Sequence, residues 1–311
     1  MTSAVGSPLI AVVMPVYNHA RYVEEAVQSI IAQSFRDWSL IVVDDGSTDG
    51  SDRIVEAIAA KESRITLLRQ ANAGPAAARN RGVRRSASPW LAYLDSDDVW
   101  FPATLERYAD AIGAMPGKTF FYASRHRLDD DGVVTATPGE FQEAESGTRE
   151  LFGRMYLSHM SVCYRRELFE TVGGYDENLR SCEDYELYLR MSLGARFTPL
   201  GFATGLRRRH GTNISRQTGF SRRLEAEVLK RFVDKQGGRA HLEPAQIAAR
   251  LGRLYYASGR QYVKEGRFKE ACRRFAEAHR YARSVKSTAL AALATVLWPF
   301  GGRETRGLPP L

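Results

Sequence analysis

Four short apolar runs, separated by segments of helical period, constrain this chain more than any other feature. Leu9-Ile10-Ala11-Val12-Val13-Met14 stops at Pro15, and Leu40-Ile41-Val42-Val43 stops at Asp44-Asp45-Gly46-Ser47. Ile65-Thr66-Leu67-Leu68 follows, and Trp90-Leu91-Ala92-Tyr93-Leu94 runs into Asp95-Ser96-Asp97-Asp98. Continuous apolar runs of this length suit strands covered on both faces of a parallel sheet. Between the first two, Val23, Ala26, Val27, Ile30 and Ile31 recur at three and four, the period of a helix lying on that sheet. A second helix is expected from Gly74-Pro75 through Arg85. Such βαβ units are right-handed and leave the carboxyl ends of their strands on one edge, where ligands of open α/β sheets bind. Pro15 to Asn18, Asp44 to Ser47, Asn72 to Arg81 and Asp95 to Asp98 should therefore meet there.

The last of these loops carries the most chemistry. In extended backbone, Asp95 and Asp97 point to the same side within about 7 Å of each other. Two such charges repel unless a cation intervenes, and an all-oxygen donor set favours Mg²⁺ or Mn²⁺ held together with substrate phosphates. The plainer account is a turn that caps the helix near Pro102, because Asp favours both positions. Arg79 and Arg81 fall in the first two turns of the second helix, where a guanidinium and the helix dipole can face a phosphate. For either arginine taken singly, a solvated helix face is the better account.

Two other nucleotide folds are excluded by spacing. No G-x-G-x-x-G follows a candidate strand, and Gly113-Ala114-Met115-Pro116-Gly117-Lys118-Thr119 is one residue short of a P-loop and follows a helix.

Met14-Pro15-Val16-Tyr17-Asn18, Val42-Val43-Asp44-Asp45-Gly46-Ser47-Thr48-Asp49, Asn72-Ala73-Gly74-Pro75-Ala76-Ala77-Ala78-Arg79-Asn80 and Leu94-Asp95-Ser96-Asp97-Asp98 resemble, in order, the signatures of family 2 glycosyltransferases with the GT-A fold. The resemblance covers roughly the first 215 residues. It implies an α/β, Rossmann-like mixed sheet with flanking helices, and an enzyme that transfers sugar from a nucleotide donor, typically a UDP-sugar, with inversion. Carried over by position, Pro15 and Tyr17 would line the nucleoside pocket, Asp45 would accept a hydrogen bond from the base, and Arg79 would lie near the nucleotide. Asp95 and Ser96 would contact the nucleotide, and Asp95 with Asp97 would hold the metal-bound diphosphate, the ion being Mn²⁺ or Mg²⁺.

Farther along, a helix is expected from Ala103 to Met115, a strand from Thr119 to Ala123, and an irregular hairpin to about Gly147 around Asp129-Asp130-Asp131-Gly132. Val172-Gly173-Gly174-Tyr175-Asp176 resembles the family's acceptor side, which places Tyr175 there. Ser181-Cys182-Glu183-Asp184 opens another helix. Taken alone, Ser181 with Asp184 three residues on is a capping-box variant. The resemblance instead makes Asp184 the general base, with Glu183 as its neighbour on the acceptor side. His210, after Arg207-Arg208-Arg209, would complete the metal site or contact the diphosphate.

From Arg222 onward the pattern is helical. Tyr255, Gly259, Tyr262, Ala271, Phe275 and Ala278 carry the spacing of one tetratricopeptide-like helix pair, with Gly266 at the turn. Residues 1–220 are thus expected to form the catalytic domain and 221–311 a basic helical one. The second part carries 19 Lys and Arg against 8 Asp and Glu, a net of +11, while the chain as a whole is +8. With the apolar stretch Ala289 to Phe300, that charge suggests attachment to an anionic membrane surface and a lipid-linked glycan acceptor, without nucleic acid as a partner. Cys163, Cys182 and Cys272 show no paired spacing, and no secretory leader or 18-residue apolar span is visible, so a cytoplasmic setting, peripheral at the membrane, is expected. Two other functions fit the same residues: a metal-dependent sugar nucleotidyltransferase, and a non-catalytic sugar-nucleotide-binding scaffold.

Overall fold

A computed structural model describes residues 7–129, 131–136, 144–211 and 218–281. They form two compact units, Met1–Gly147 with Met155–Gly211, and Thr148–Arg154 with Thr212–Leu311.

In chain order the elements are β1 (Ile10–Val16), α1 (Val23–Ile31), β2 (Trp38–Asp44), α2 (Ser51–Ala59), β3 (Ile65–Arg69), α3 (Pro75–Arg85) and β4 (Trp90–Tyr93). Then come β5 (Val99–Trp100), α4 (Thr104–Ala114), β6 (Phe120–Leu128), β7 (Val134–Ala136), α5 (Thr148–Gly153), β8 (Val162–Arg165), α6 (Arg166–Thr171), α7 (Glu183–Met191) and β9 (Thr198–Arg208). Three long helices follow, α8 (Thr218–Lys235), α9 (Pro244–Lys264) and α10 (Phe268–Tyr281).

The first unit is a nine-stranded mixed sheet in the order β3-β2-β1-β4-β8-β6-β9-β5, with β7 on β6. The apolar runs explain its parallel half. β1 lies parallel between β2 and β4, Val12 opposite Leu40 and Ala92, and all three strands are almost wholly buried. On one face Val12, Met14, Leu40, Val42 and Ala92 pack with Val27 and Ile30 of α1. On the other, α3 approaches so closely that a Cβ on Gly82 would sit 2.5 Å from Val13 Cγ1, which is why an Ala-rich helix carries glycine at that turn. Beyond β4 the sheet turns antiparallel through β8, and β9 pairs parallel to β6.

Three local expectations change. Pro15 lies inside β1, opposite Val43, and does not end it. Val13 O accepts from Leu94 N and Val16 O from Asp45 N. By alternation Pro15 turns its missing N–H toward β4, which has already ended at Tyr93, so no ladder bond is lost. The strand expected over 119–123 continues to Leu128, because β9 and β7 both pair with its second half. Asp95 to Asp98 do not continue β4: Asp98 N donates to Asp95 O (3.0 Å), closing a turn, so strand alternation does not govern where these side chains point.

Gln33 was not singled out by sequence, yet it is fully buried. Its amide nitrogen donates to Ser29 O and Phe101 O, and its oxygen accepts from Leu105 N, tying the end of α1 to the start of α4.

The second unit is helical. α9 and α10 meet where Gly259 leaves room for the Phe275 ring, a Cβ there falling 2.6 Å from it. Tyr262, Ala271 and Phe275 form the core of this pair, and Gly266 takes φ 71° at the turn. No helix among the described residues is long and apolar enough to cross a membrane. Ala289 to Phe300 lies outside the described residues, as do Asp130, residues 137–143 of the expected hairpin and Thr212 to Ser215.

Candidate active site at the carboxyl edge of the sheet

The loops after β1 and β2 lock together. Asn18 takes φ 54° and donates its N–H to Ser47 Oγ (3.0 Å), while its side-chain oxygen accepts from Thr48 N (2.8 Å). His19 N donates to Ser51 Oγ (2.9 Å) and Ala20 N to Asp49 Oδ2 (2.8 Å). Tyr17, at the head of this loop, is 48% exposed and presents a free ring at the edge.

Asp44 Oδ2 accepts from Gly46 and Ser47 N–H in an Asx turn. Asp45 accepts from Gln70 Nε2, Ala73 N and Gly74 N, each at 2.8 Å. A carboxylate has about four lone-pair sites, so one remains for the base contact expected of Asp45. Its main task in this structure is to hold the loop that launches α3, where Gly74 takes φ 94°.

The four residues of the β4 turn part ways. Asp95 Oδ1 accepts from Arg79 (2.7 Å), whose other terminal nitrogen donates to Glu183 Oε1 (2.6 Å). Arg79 is only 5% exposed. Burial works against the Asp95 charge, yet the Arg79 guanidinium holds its carboxyl below the usual range. Ser96 Oγ, buried, meets His19 Nδ1 at 2.7 Å. Asp97 Oδ2 meets His210 Nε2 at 2.9 Å, and Asp98 Oδ1 accepts from Arg208 N (2.8 Å). Burial first, then the charges of Asp97 and Asp95, push the Asp98 carboxyl well above its ordinary value.

Asp97 of this turn also belongs to a group that could hold a divalent ion. One ligand atom each from His19, Asp97 and His210 lie within 4.8 Å of one another, close enough for a single ion. Two imidazoles and a carboxylate suit Mn²⁺, a transition ion that accepts nitrogen ligands, better than Mg²⁺, which prefers oxygen alone. Asp95, expected to share the ion, does not belong to this group and is engaged by Arg79 instead. His210 is stacked on Tyr22 at 4.9 Å between ring centroids.

On the opposite rim, α7 does not start on a capping box. Its N-cap is Cys182, in the left-handed region at φ 60°, with no side-chain cap bond. Asp184 is half-buried and its Oδ1 accepts from Tyr185 N (2.7 Å). Burial, then the Glu183 charge, push its carboxyl up to about 6, with Arg79 working in the other direction. A carboxyl poised there can take a proton near neutral pH.

Glu183 and Tyr175, expected on the acceptor side, are 8% and 3% exposed and belong to the interior brace. The Tyr175 ring lies 5.8 Å from the Arg79 guanidinium carbon, and its hydroxyl reaches His159 Nε2 at 3.2 Å. His159 Nδ1 meets the Tyr188 hydroxyl at 2.6 Å, and Tyr164 donates to Tyr93 at 2.7 Å. Burial, then the nearby Arg79 charge, drive the His159 imidazole well below its ordinary value, so it is a neutral member of this layer. Arg79 thus meets two carboxylates, Asp95 and Glu183, and Ser96 meets His19. Sequence reasoning missed His19, Gln70, Tyr22 and His159. The first three sit in loops or next to a helix start, without periodicity, and the fourth looked like an isolated histidine.

The profile of the family described as Glycosyl transferase family 2 matches residues 11–173. An uncharacterized glycosyltransferase of Rickettsia prowazekii is 28% identical over 195 residues, 61% of this chain and 60% of the relative. The hyaluronan synthase of Pasteurella multocida is 24% identical over 231 residues, 74% of this chain but 24% of the relative. The matched region is thus less than two thirds of either relative's length. Among solved structures, S. aureus TarS 1-349 in complex with UDP superposes with a TM-score of 0.67 at 20% identity, covering 93% of this chain and 87% of the other. The mannosyltransferase PcManGT of Pyrobaculum calidifontis, in complex with GDP-Man and Mn²⁺, gives 0.59 at 19% identity over 94% and 81%. At these identities the superpositions show a shared fold.

Proposed function

The chain belongs to glycosyl transferase family 2, and on that premise we propose that it moves a sugar from a nucleoside-diphosphate donor to an acceptor hydroxyl with inversion at the anomeric carbon. The observation that carries this reading is the single buried guanidinium of Arg79, which ties Asp95 of the β4 turn to Glu183, the residue before Asp184. It fixes a donor-side turn and a base-bearing helix in one relation. The known complexes of the superposed structures, with UDP and with GDP-Man and Mn²⁺, support a nucleotide-sugar donor.

Each residue then has a task. Tyr17 offers its exposed ring to the nucleoside base, with Pro15 and the remaining Asp45 lone pair beside it. His19, Asp97 and His210 would hold the divalent ion. Bound there, such an ion neutralises charge on the departing diphosphate. Asp184 accepts the acceptor hydroxyl proton as that oxygen attacks the anomeric carbon opposite the leaving group. A donor panel incubated with Mn²⁺ should release nucleoside diphosphate, and ¹H NMR of the product should show the opposite anomeric configuration to the donor. Chelation with EDTA should stop release. Retained configuration would remove Asp184 from the base role.

Because the Asp184 carboxyl is raised to about 6, kcat/KM is expected to fall as pH drops through that value. A pH profile flat from 5 to 8 would contradict the assignment.

The acceptor we propose is a glycan or lipid-linked glycan at a membrane surface. Many cations of the helical unit are paired internally, among them Arg223 with Glu265, Arg250 with Glu225, Arg267 with Glu270 and Arg274 with Glu227. Arg253, Arg260 and Lys264 of α9 are exposed and, at ~100° per residue, fall within about 40° of arc on one face. That line of charge is suited to anionic headgroups. Co-sedimentation with anionic but not neutral vesicles at low salt is the expected result, and a protein left in the supernatant would end the membrane reading.

A further inference from the structure

We propose that His19 is a direct ligand of the divalent ion and that Ser96, the middle residue of Asp95-Ser96-Asp97, holds its imidazole in place. This rests on the transferase reading of the edge only for the ion's purpose, not for its binding.

The argument begins with the backbone. His19 follows Asn18, one of two non-glycine residues at positive φ among those described, and the stretch from Asn18 to Ala20 is held by three donated N–H bonds to Ser47, Ser51 and Asp49. The Asn18 side chain returns a fourth bond by accepting from Thr48 N. A loop pinned this way has little freedom left to lose on binding a ligand. The ring is fixed as well: Ser96 Oγ lies 2.7 Å from Nδ1, and Ser96 is itself 2% exposed. Histidine ligands are commonly oriented by a hydrogen bond to the ring nitrogen that does not face the ion.

Across from it, His210 and Asp97 are already in contact at 2.9 Å, and the His19 and His210 rings stand edge to face at 6.0 Å between centroids. Three ligand atoms from three separate segments therefore converge within 4.8 Å. A purely structural histidine here would need only the Ser96 bond. Convergence with His210 and Asp97 is what that role leaves unexplained. The consequence is a nitrogen-rich shell with a preference for Mn²⁺ over Mg²⁺.

The test uses the full chain stripped of metal and titrated with MnCl₂, read by calorimetry and by electron spin-echo modulation from directly bound ¹⁴N. The wild type should bind one Mn²⁺ with two coupled imidazole nitrogens. His19→Ala should weaken Mn²⁺ binding by at least tenfold, leave one coupled nitrogen, and narrow the Mn²⁺/Mg²⁺ affinity ratio. His19→Gln, which retains a polar side chain near Ser96, should lose the same nitrogen signal with its melting temperature kept. Ser96→Ala should weaken binding roughly 10-fold, within the 10–100-fold range for residues that orient a ligand, while both nitrogens remain coupled. Wild-type affinity and an unchanged nitrogen count in both His19 variants would overturn the proposal, as would a wild type that binds no Mn²⁺. The transferase reading fails separately: a protein with the two-nitrogen Mn²⁺ signal but no turnover of any nucleotide sugar loses its proposed function and keeps this ligand.

Discussion

Asp184→Asn is expected to lower kcat by about 10²–10⁴-fold while leaving nucleoside-diphosphate affinity unchanged. An amide keeps the size of the carboxyl but cannot take the proton of the acceptor hydroxyl. Unfolding is not the expected cause, and the sign of the linkage provides the control. The Asp184 carboxyl rises from 3.8 to about 6 on folding, so its protonated form favours the folded state. That contribution is complete below pH 3.8 and is lost as pH rises through 6. The Asn variant should therefore be at least as stable as wild type at pH 8, with the difference shrinking in acid. Calorimetry with the nucleoside diphosphate and thermal unfolding at the two pH values check the binding and stability claims. Transfer at the wild-type rate would leave Asp184 with no chemical role.

Arg79→Ala should produce the largest loss of stability of any single change at the site, on the order of 3 kcal/mol, because it leaves the buried Glu183 carboxylate uncompensated and takes the partner from the more exposed Asp95. Arg79 itself is one of the most buried cations among the described residues, over the Tyr175 ring and next to the neutral His159. Denaturant unfolding of the full chain measures the loss. Arg79→Lys should recover only part of it, since one ammonium cannot reproduce a fork that bonds two carboxylates on different elements. A loss under about 1 kcal/mol for the alanine variant would mean that water reaches both carboxylates and that the brace is not what fixes α7 against the β4 turn.

The parallel half of the sheet was legible because β1, β2 and β4 are buried on both faces and so read as unbroken apolar runs. Its four edge loops could be placed together for the same reason. The contents of the site were less legible. Alternation along β4 put Asp95 and Asp97 on one ion, but the chain turns at Asp95, and the turn sends Asp95 to Arg79 and Asp97 to His210. Glu183 and Tyr175 carry family signatures that say nothing about burial, and both proved to be interior. His19 was passed over because one loop histidine has no pattern of its own; only the closure of the fold brings it to His210, 191 positions later in the sequence. Spacing alone made Ser181 with Asp184 a cap, yet the left-handed backbone at Cys182 starts α7 one residue later, with no side-chain cap bond. Pairings set by sequence-distant closure, and by turns that interrupt a strand, leave little trace in local spacing.

The most direct measurement of the central claim is a ³¹P NMR time course of the wild-type chain with Mn²⁺ and a panel of nucleoside-diphosphate sugars, with an acceptor glycan present. Glycosyl transfer predicts that, for at least one donor, the two coupled phosphorus signals of the sugar nucleotide are replaced by those of the free nucleoside diphosphate, with no pyrophosphate formed. Pyrophosphate appearing from a nucleoside triphosphate and a sugar phosphate, or every donor remaining intact in the presence of Mn²⁺, would contradict it.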